Sequence, residues 1–457
     1  MDKVEHMRFY NREKELEALR VAIAYQGSEM IVISGRRRVG KSRLVDEFLK
    51  KHKGLKAIIV PKEERQAASD FAEVFADGYK PTFNTIKEAL EYFFVNSKER
   101  ILYIDEFPNF LEINKSIPYE LQRLWEIYKE KTDKILILSG SYVSMMDKIF
   151  TRQKAPLFNR AKLKILLQPL DPNVIWKMQD EVGIKDPIAK IENYCVFGGV
   201  PYYYEVLGKY APTADATRAL FFGVGELKEE GQDILRQEFG SAYKKYFSIL
   251  EAIGCGLVSA GEITNKMGIR QTTLSKYMGS LQNDFKLIER QVPFGQNLYR
   301  SKKGMYIIKD NLLAFWFSYV YGKDQPPSQE QLNMFVSKRF ELLCMDFMSK
   351  LLQQKGESIV KRGKWWGHVE VEKGKFEQRE IDLIIETDKM LYIGECKWTD
   401  RTIGEKELQH LKESSKGMLK TKKPIKWVLF SKKGSSIKES QDILLFDSKD
   451  LIKESTK

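Results

Sequence analysis

The sequence predicts a multidomain α/β chain: a parallel sheet flanked by helices, a helical segment, a helix-turn-helix with a β-hairpin, and a smaller α/β domain. Three observations carry that expectation. Residues 1–170 alternate short apolar runs with amphipathic stretches. Residues 241–310 read as helix, tight turn, helix and hairpin. A Gln-Pro-Pro-Ser linker at 325–328 then precedes a second alternating region. The 457 residues suffice for about three domains with real cores.

In the first region the apolar runs are MIVIS (30–34), KAIIV (56–60), ILYID (101–105), ILILS (135–139) and LKILL (163–167). Runs of this length between amphipathic stretches form parallel strands covered on both faces. The domain divisions expected are 1–170 for this core, 171–240 for a helical lid broken by FGGVP, 241–324 for the helix-turn-helix, and 325–457 for the last domain.

Composition narrows the setting. A net charge of +13 favours an anionic partner, and nucleic acid is the usual one. The four cysteines (Cys195, Cys255, Cys344, Cys396) form no CxxC pair and only four histidines accompany them, which argues against zinc and fits a reduced cytoplasmic setting. The N-terminus has no apolar signal core, and the longest apolar run, LLAFWFSYVY at 312–321, is too short to span a bilayer. That run is expected in a core or interface, and no membrane partner is expected.

The strongest motif is ISGRRRVGKSRL, with Gly35, Gly40, Lys41 and Ser42 in the order GxxxxGKS between an apolar strand and a helix. Its glycines let backbone N–H groups wrap phosphates at a helix N-terminus. Lys41 is expected on the β- and γ-phosphates of ATP, and the Ser42 hydroxyl on Mg²⁺. Arg36, Arg37 and Arg38 are expected in solvent or at the sheet edge. ILYIDEF brings Asp105 to a strand's carboxyl end, where it would hold Mg²⁺ through water, with Glu106 as the base that polarises attacking water. Ser139-Gly140-Ser141 closes the next strand, where a polar residue such as Ser139 senses the γ-phosphate or simply turns the chain.

FYNREKELEAL (9–19), ISGRRRVGKSRL, ILYIDEF, ILILSGS, APLFNRA (155–161) and VFGGVP (196–201) occur in that order. Together they resemble the archaeal-type ATPases, a branch of the STAND/AAA+-like P-loop ATPases of the ASCE type. The resemblance implies that Asn11 and Arg12 lie near the adenine and that Pro201 belongs to the GGxP signature of the lid. It further implies that Arg160 acts as an arginine finger, from a neighbouring subunit of a homo-oligomer, with a surface salt bridge as the alternative. Asn159 stands where the family usually has Gly.

GEITNKMGIRQTTLSKYMGSLQNDFKLIERQ reads as the two helices of a winged helix-turn-helix, with the turn at Met267-Gly268-Ile269. Thr272, Thr273, Ser275 and Lys276 would face outward from the second helix. The hairpin is expected to run LIERQVPF, a turn at GQN, then LYRSKKGMYIIKD. Residues 241–310 hold 11 Lys/Arg against 5 Asp/Glu. Arg270, Lys276, Arg300, Lys302 and Lys303 would meet DNA phosphates, unless the module is an interdomain spacer.

The last domain carries EIDLIIETDKMLYIGECKW (380–398), an apolar hairpin with three charges. With a turn at Glu386–Lys389 and Ile385 opposite Met390, Asp382 falls opposite Ile393, diagonal to Glu395 and on the face that Glu395 shares with Lys397. Two close carboxylates call for a cation, and oxygen ligands suit Mg²⁺ or Mn²⁺. A neighbouring lysine suits metal-assisted phosphodiester hydrolysis. Helix-Glu, strand-Asp and strand Glu-x-Lys in this order resemble the PD-(D/E)xK nuclease superfamily, and residues 330–457 are similar to the domain of unknown function that often follows archaeal-type ATPase domains. The resemblance implies metal binding by Asp382 and Glu395, a catalytic Lys397 and a supporting Glu341; a catalytically dead relative with a buried ion network remains the alternative. The function expected is an ATPase that binds and cleaves DNA, or a nucleotide-gated regulatory or defence switch that binds DNA or a partner without cutting.

Overall fold

The computed structural model describes residues 8–416 and 423–454, apart from 209, 211 and 373. The chain divides into two compact units: Met1–Leu170 with Val200–Glu205, and Asp171–Gly199 with Val206–Lys457. The long stretch of the first unit runs to Leu170. The expected lid, helix-turn-helix and last domain fall together in the second unit, except for the short stretch at 200–205.

In the first unit the five apolar runs become β1 (Glu29–Ser34), β2 (Leu55–Ile58), β3 (Ile101–Asp105), β4 (Ile135–Gly140) and β5 (Leu163–Leu166). They form one sheet in the order β2-β3-β4-β1-β5, and every pairing is parallel. Alternation sends Met30, Val32, Leu102, Ile104, Leu136 and Leu138 into one core, under the helices Glu64–Val74, Ile86–Val95 and Ile117–Tyr128. Ile31, Ile33, Tyr103, Ile135 and Ile137 face the other, under Glu13–Ala24 and Lys41–Leu49. Because β4 lies between β1 and β3, the loops leaving the carboxyl ends of all three strands stand side by side.

The second unit opens with helices. The run 312–321 is core, as expected: Leu312, Leu313, Phe315, Trp316, Phe317 and Val320 are buried. The Trp316 indole N–H donates to the Lys228 carbonyl at 2.7 Å. Among the described residues, no helix is long and apolar enough to cross a membrane.

Helices Ala260–Met267 and Gln271–Asn283 meet at Gly268, whose φ of 61° supplies the left-handed turn. Ser259 and Glu262 close a capping box at the first helix. Ile263, Leu274, Met278 and Leu281 are buried, which leaves Thr272, Thr273, Ser275 and Lys276 exposed as expected. The hairpin differs from expectation. Its strands β6 (Ile288–Gln291) and β7 (Met305–Ile308) are short, and residues 298–300 form a turn. The Asn297 side chain accepts from the Tyr299 and Arg300 N–H groups, and the Arg290 guanidinium takes the Leu298 and Ser301 carbonyls. Those groups are therefore lost to a strand ladder.

A second sheet follows, in the order β12-β11-β10-β9-β8. Its strands are β8 (Ile359–Glu372), β9 (Lys375–Thr387), β10 (Leu391–Lys397), β11 (Ile425–Ser431) and β12 (Ile443–Phe446). β8, β9 and β10 pair antiparallel, and β10, β11 and β12 parallel. The long helix Gln329–Gln354 packs on this sheet, with Phe340 against Trp398 at 4.7 Å. Leu408 and Leu411 of helix Glu405–Ser415 join a separate cluster with Ile384, Ile393 and Leu429. Trp398 is buried, whereas Trp365 and Trp366 of β8 are partly exposed.

Gly231 meets the Trp316 ring so closely that a β-carbon there would stand 2.3 Å from it. Gly231→Ala should therefore destabilise the second unit by about 1–3 kcal/mol, read as a lower denaturant midpoint.

Candidate nucleotide site and candidate metal site

The loop between β1 and helix Lys41–Leu49 depends on two glycines. A β-carbon at Gly35 would lie 2.8 Å from the Leu167 carbonyl oxygen, and Gly40 has a φ of 100°. Lys41 follows directly and is only 5% exposed. Its ammonium donates to the carbonyls of Gly35 (3.0 Å) and Arg36 (3.1 Å) and to the Ser141 hydroxyl (2.8 Å).

Strand order delivers the rest. Ser42 Oγ donates to Asp105 Oδ2 at 2.6 Å. Glu106 takes a φ of 54°, unusual for a residue with a side chain. Its carboxylate accepts from both the N–H (3.0 Å) and the hydroxyl of Ser141. Ser141 thus joins Lys41 to Glu106. Ser139, expected either to sense the γ-phosphate or to turn the chain, is fully buried and donates to Asp105, with the Tyr103 hydroxyl at 2.9 Å behind it. Burial first, then the charge of Asp105, pushes the Tyr103 phenol well above its ordinary pKa. Alternation explains the exchange: consecutive serines two apart share a face, but β4 ends at Gly140 and the chain turns, which frees Ser141.

Arg12 is 8% exposed and works as a brace: its guanidinium donates to the Gln168 carbonyl at 2.7 Å and pairs with Glu15 at 3.3 Å. Asn11 beside it is exposed, with a φ of 47°. The loop arginines are not simply in solvent. Arg36 donates to the Tyr203 hydroxyl at 2.9 Å, Arg38 stacks 4.0 Å from the Tyr202 ring centre, and Arg43 pairs with Glu205 at 2.6 Å. All three partners lie on the short helix Pro201–Leu207, which Pro201 opens after the Gly198 turn (φ 69°). Sequence gave no signal for these contacts. Arg160 pairs with Glu126 at 3.0 Å, which is the salt-bridge alternative. Asn159 before it has a φ of 57°, a conformation that Asn tolerates nearly alone among residues with a β-carbon.

In the second unit the observed register corrects the expected one by two residues: Leu391 pairs with Glu386, and Ile393 with Ile384. Thr387 N–H donates to the Met390 carbonyl, so the turn closes later. Continuing that register sets Asp382 beside Glu395 rather than diagonal to it; an even shift keeps the face. Both carboxylates are buried, Asp382 at 9% and Glu395 at 5% exposure. Asp382 accepts from the Cys396 N–H at 2.9 Å, and Glu395 pairs with Lys397. Burial, then the charge of Asp382, pushes Glu395 up to about 7 against the opposing pull of Lys397. Burial alone would lower Lys397, but Glu395 outweighs it and holds the ammonium above its ordinary value.

Glu341 does not pair within this group; it is taken by Lys364 of β8, a residue sequence reasoning passed over. Among the described residues, no group of three or more His, Cys, Asp or Glu stands where it could hold a metal ion. Asp382 and Glu395 are two adjacent hard oxygen donors, a set that fits Mg²⁺ or Mn²⁺ completed by water.

Seven residues expected on DNA, Arg270, Thr272, Thr273, Lys276, Arg300, Lys302 and Lys303, are all exposed. The hairpin itself is anchored: Phe294 N–H donates to the Lys364 carbonyl at 2.7 Å, and Lys361 lies over the Phe294 ring.

Two family models match. An ATPase domain predominantly from Archaea matches residues 9–207, and a family described as archaeal bacterial proteins of unknown function matches 316–411. The uncharacterized protein MJECL04 of Methanocaldococcus jannaschii is 31% identical over 476 residues, spanning 97% of this chain and 99% of that protein. The Walker-type ATPase Paby2304 of Pyrococcus abyssi shares the fold with a TM-score of 0.50 at 19% identity, over 68% of this chain and 96% of its own. The ORC2 protein of Aeropyrum pernix gives a TM-score of 0.36 at 15% identity, over 67% of this chain and 92% of its own.

The left-handed Asn159 generates a direct test. Asn159→Val should cost about 1–2 kcal/mol of unfolding free energy, whereas Asn159→Gly should be tolerated; denaturant unfolding of the two variants reads the difference.

Proposed function

The chain belongs to the archaeal-type ATPases, as one family with the M. jannaschii protein over 97% of its length, and on that premise we propose that it hydrolyses ATP at the Lys41 loop, binds DNA through the helix-turn-helix, and cuts DNA at Asp382, Glu395 and Lys397. The observation that carries the first step is the joined network of Lys41, Ser141 and Glu106 beside Ser42 and Asp105. A buried ammonium whose acceptors are two loop carbonyls and a hydroxyl can exchange them for phosphate oxygens at little cost.

The donor set of Ser42 and Asp105, a hydroxyl and a carboxylate 2.6 Å apart, fits Mg²⁺. Bound there with ATP, the ion would neutralise charge on the β- and γ-phosphates. Glu106 would accept the proton of the attacking water, and Ser141 holds that carboxylate in place. The positive φ of Glu106 is strain of the kind kept where a side chain must be aimed.

DNA binding rests on charge and exposure. Arg270, Lys276, Arg300, Lys302 and Lys303 make no ion pair with the described residues, and Tyr299, 88% exposed, stands among the last three. Such cations meet phosphates, while Thr272 and Thr273 open the helix that would enter a groove. Anchoring of the hairpin to β8 fits either DNA binding or a spacer. Cleavage rests on Asp382 and Glu395: they would hold Mg²⁺ or Mn²⁺, and Lys397 would orient water and offset phosphate charge. Self-association that brings Arg160 to a neighbouring nucleotide belongs to the same reading and requires Arg160 to leave Glu126.

One observation favours the second reading, a nucleotide-gated switch without cleavage. Glu341 is occupied by Lys364, which leaves the site two carboxylates rather than three.

Glu106→Gln should bind ATP with unchanged affinity and hydrolyse it at least ~100-fold more slowly, read by nucleotide binding and phosphate release. Loss of binding would make Glu106 structural. Replacing Arg300, Lys302 and Lys303 with Ala should weaken DNA binding evenly across sequences and lower the salt slope by roughly three, one per phosphate contact. Unchanged affinity would favour the spacer. Wild type with Mg²⁺ or Mn²⁺ should nick linear, circular or branched DNA, and Lys397→Ala should cut at least ~100-fold more slowly. Equal or absent cutting by both would move the switch reading ahead.

A further inference from the structure

We propose that Tyr202 and Tyr203 are positioning residues of the nucleotide site: through Arg38 and Arg36 they hold the phosphate loop in the shape that receives phosphates, and so set nucleotide affinity from a distant part of the chain. The inference rests on the reading that the Lys41 loop takes the nucleotide.

The loop works through its backbone. Arg38 has a φ of 68° and Gly40 one of 100°, while Arg36, Arg37 and Val39 keep negative φ. A left-handed residue among right-handed ones turns successive N–H groups to one side, and such a concavity holds an anion. Gly40 reaches this conformation without strain, but an arginine does not. Something beyond the local backbone must therefore favour it at Arg38. The Arg38 guanidinium lies 4.0 Å from the Tyr202 ring centre, close enough for cation–π attraction to offset the strain.

Arg36 is held in a second way. Its carbonyl accepts from the Lys41 ammonium at 3.1 Å and from the Val39 N–H at 3.3 Å. Its guanidinium donates to Tyr203 Oη at 2.9 Å. One residue thus joins the phosphate-binding ammonium to Tyr203. Tyr203 has no exposed surface, and its ring stands at 73° to that of Tyr202 with the centres 6.1 Å apart. A close-packed ring has little freedom to follow the loop, so it is the fixed point against which Arg36 is held. Arg43 and Glu205 add a tie at 2.6 Å from the helix that follows the loop; both side chains are about one-third exposed, so that pair contributes less. If the two tyrosines only packed their short helix, their loss would lower stability and leave nucleotide affinity alone.

The test measures ADP affinity of the full chain by calorimetry, beside ATPase kinetics and denaturant unfolding without nucleotide. Tyr203→Phe keeps the buried ring and removes the hydroxyl. It should weaken ADP binding about tenfold, the ratio one hydrogen bond to a charged group supplies, and raise the KM for ATP with little change in kcat. In an Arg36→Met chain, Tyr203→Phe should have no further effect. Tyr202→Ala should weaken ADP binding about fivefold, and Tyr202→Phe, which keeps the ring face, should restore most of that loss. Unchanged ADP affinity in Tyr203→Phe and Tyr202→Ala, with Lys41→Ala abolishing binding, overturns the proposal, whatever the unfolding midpoints do. Independent, additive effects of Arg36→Met and Tyr203→Phe overturn it as well. ADP binding by Lys41→Ala as tight as in wild type would instead overturn the reading of the Lys41 loop, and the proposal with it.

Discussion

A buried ammonium organises the first unit. Lys41 loses almost all contact with water, and an uncompensated charge in that position would be prohibitive. Its compensation comes from three places in the chain: the Gly35 and Arg36 carbonyls of its own loop, and the Ser141 hydroxyl a hundred residues away. The last contact exists only because β4 is inserted between β1 and β3. Through Ser141 the same contact reaches Glu106, and through Ser42 the neighbouring residue reaches Asp105, Ser139 and Tyr103. A chain of hydrogen bonds therefore runs from the core to the loop, and each member fixes the next.

The loop also holds something outside the sheet. Arg36 and Arg38 of the loop grip Tyr203 and Tyr202, Arg43 of the helix that follows pairs with Glu205, and this stretch counts with the first unit although its neighbours on both sides belong to the second. The arginines at the variable positions of the phosphate loop thus tie a segment between Gly199 and Val206 to the loop that surrounds Lys41.

The second sheet solves the opposite charge problem. There two carboxylates, not an ammonium, are buried side by side, and burial first, then the charge of Asp382, displaces Glu395 upward. Lys397 and the Cys396 N–H offset part of it. Glu341, which the order of motifs brings to this group, is claimed by Lys364 because helix Gln329–Gln354 packs across β8 as well as β10.

The sequence by itself determined the five strands of the first sheet, the phosphate loop and the outward face of Gln271–Asn283. Each of these follows from local spacing: strand alternation, helical periodicity, glycine placement. Tertiary structure decided the rest. Ser141 rather than Ser139 meets Lys41 because the chain turns after Gly140. The hairpin register moved by two because Thr387 and Met390 close the turn, and the same face survived only because the shift is even. Residues 298–300 form a turn because Arg290 takes the carbonyls of Leu298 and Ser301. Arg12, Arg36, Arg38 and Lys364 found partners far away in sequence, and a long cationic side chain carries no local signal of which distant acceptor it will meet. Spacing fixes which way a side chain points; only the packed fold supplies what stands there.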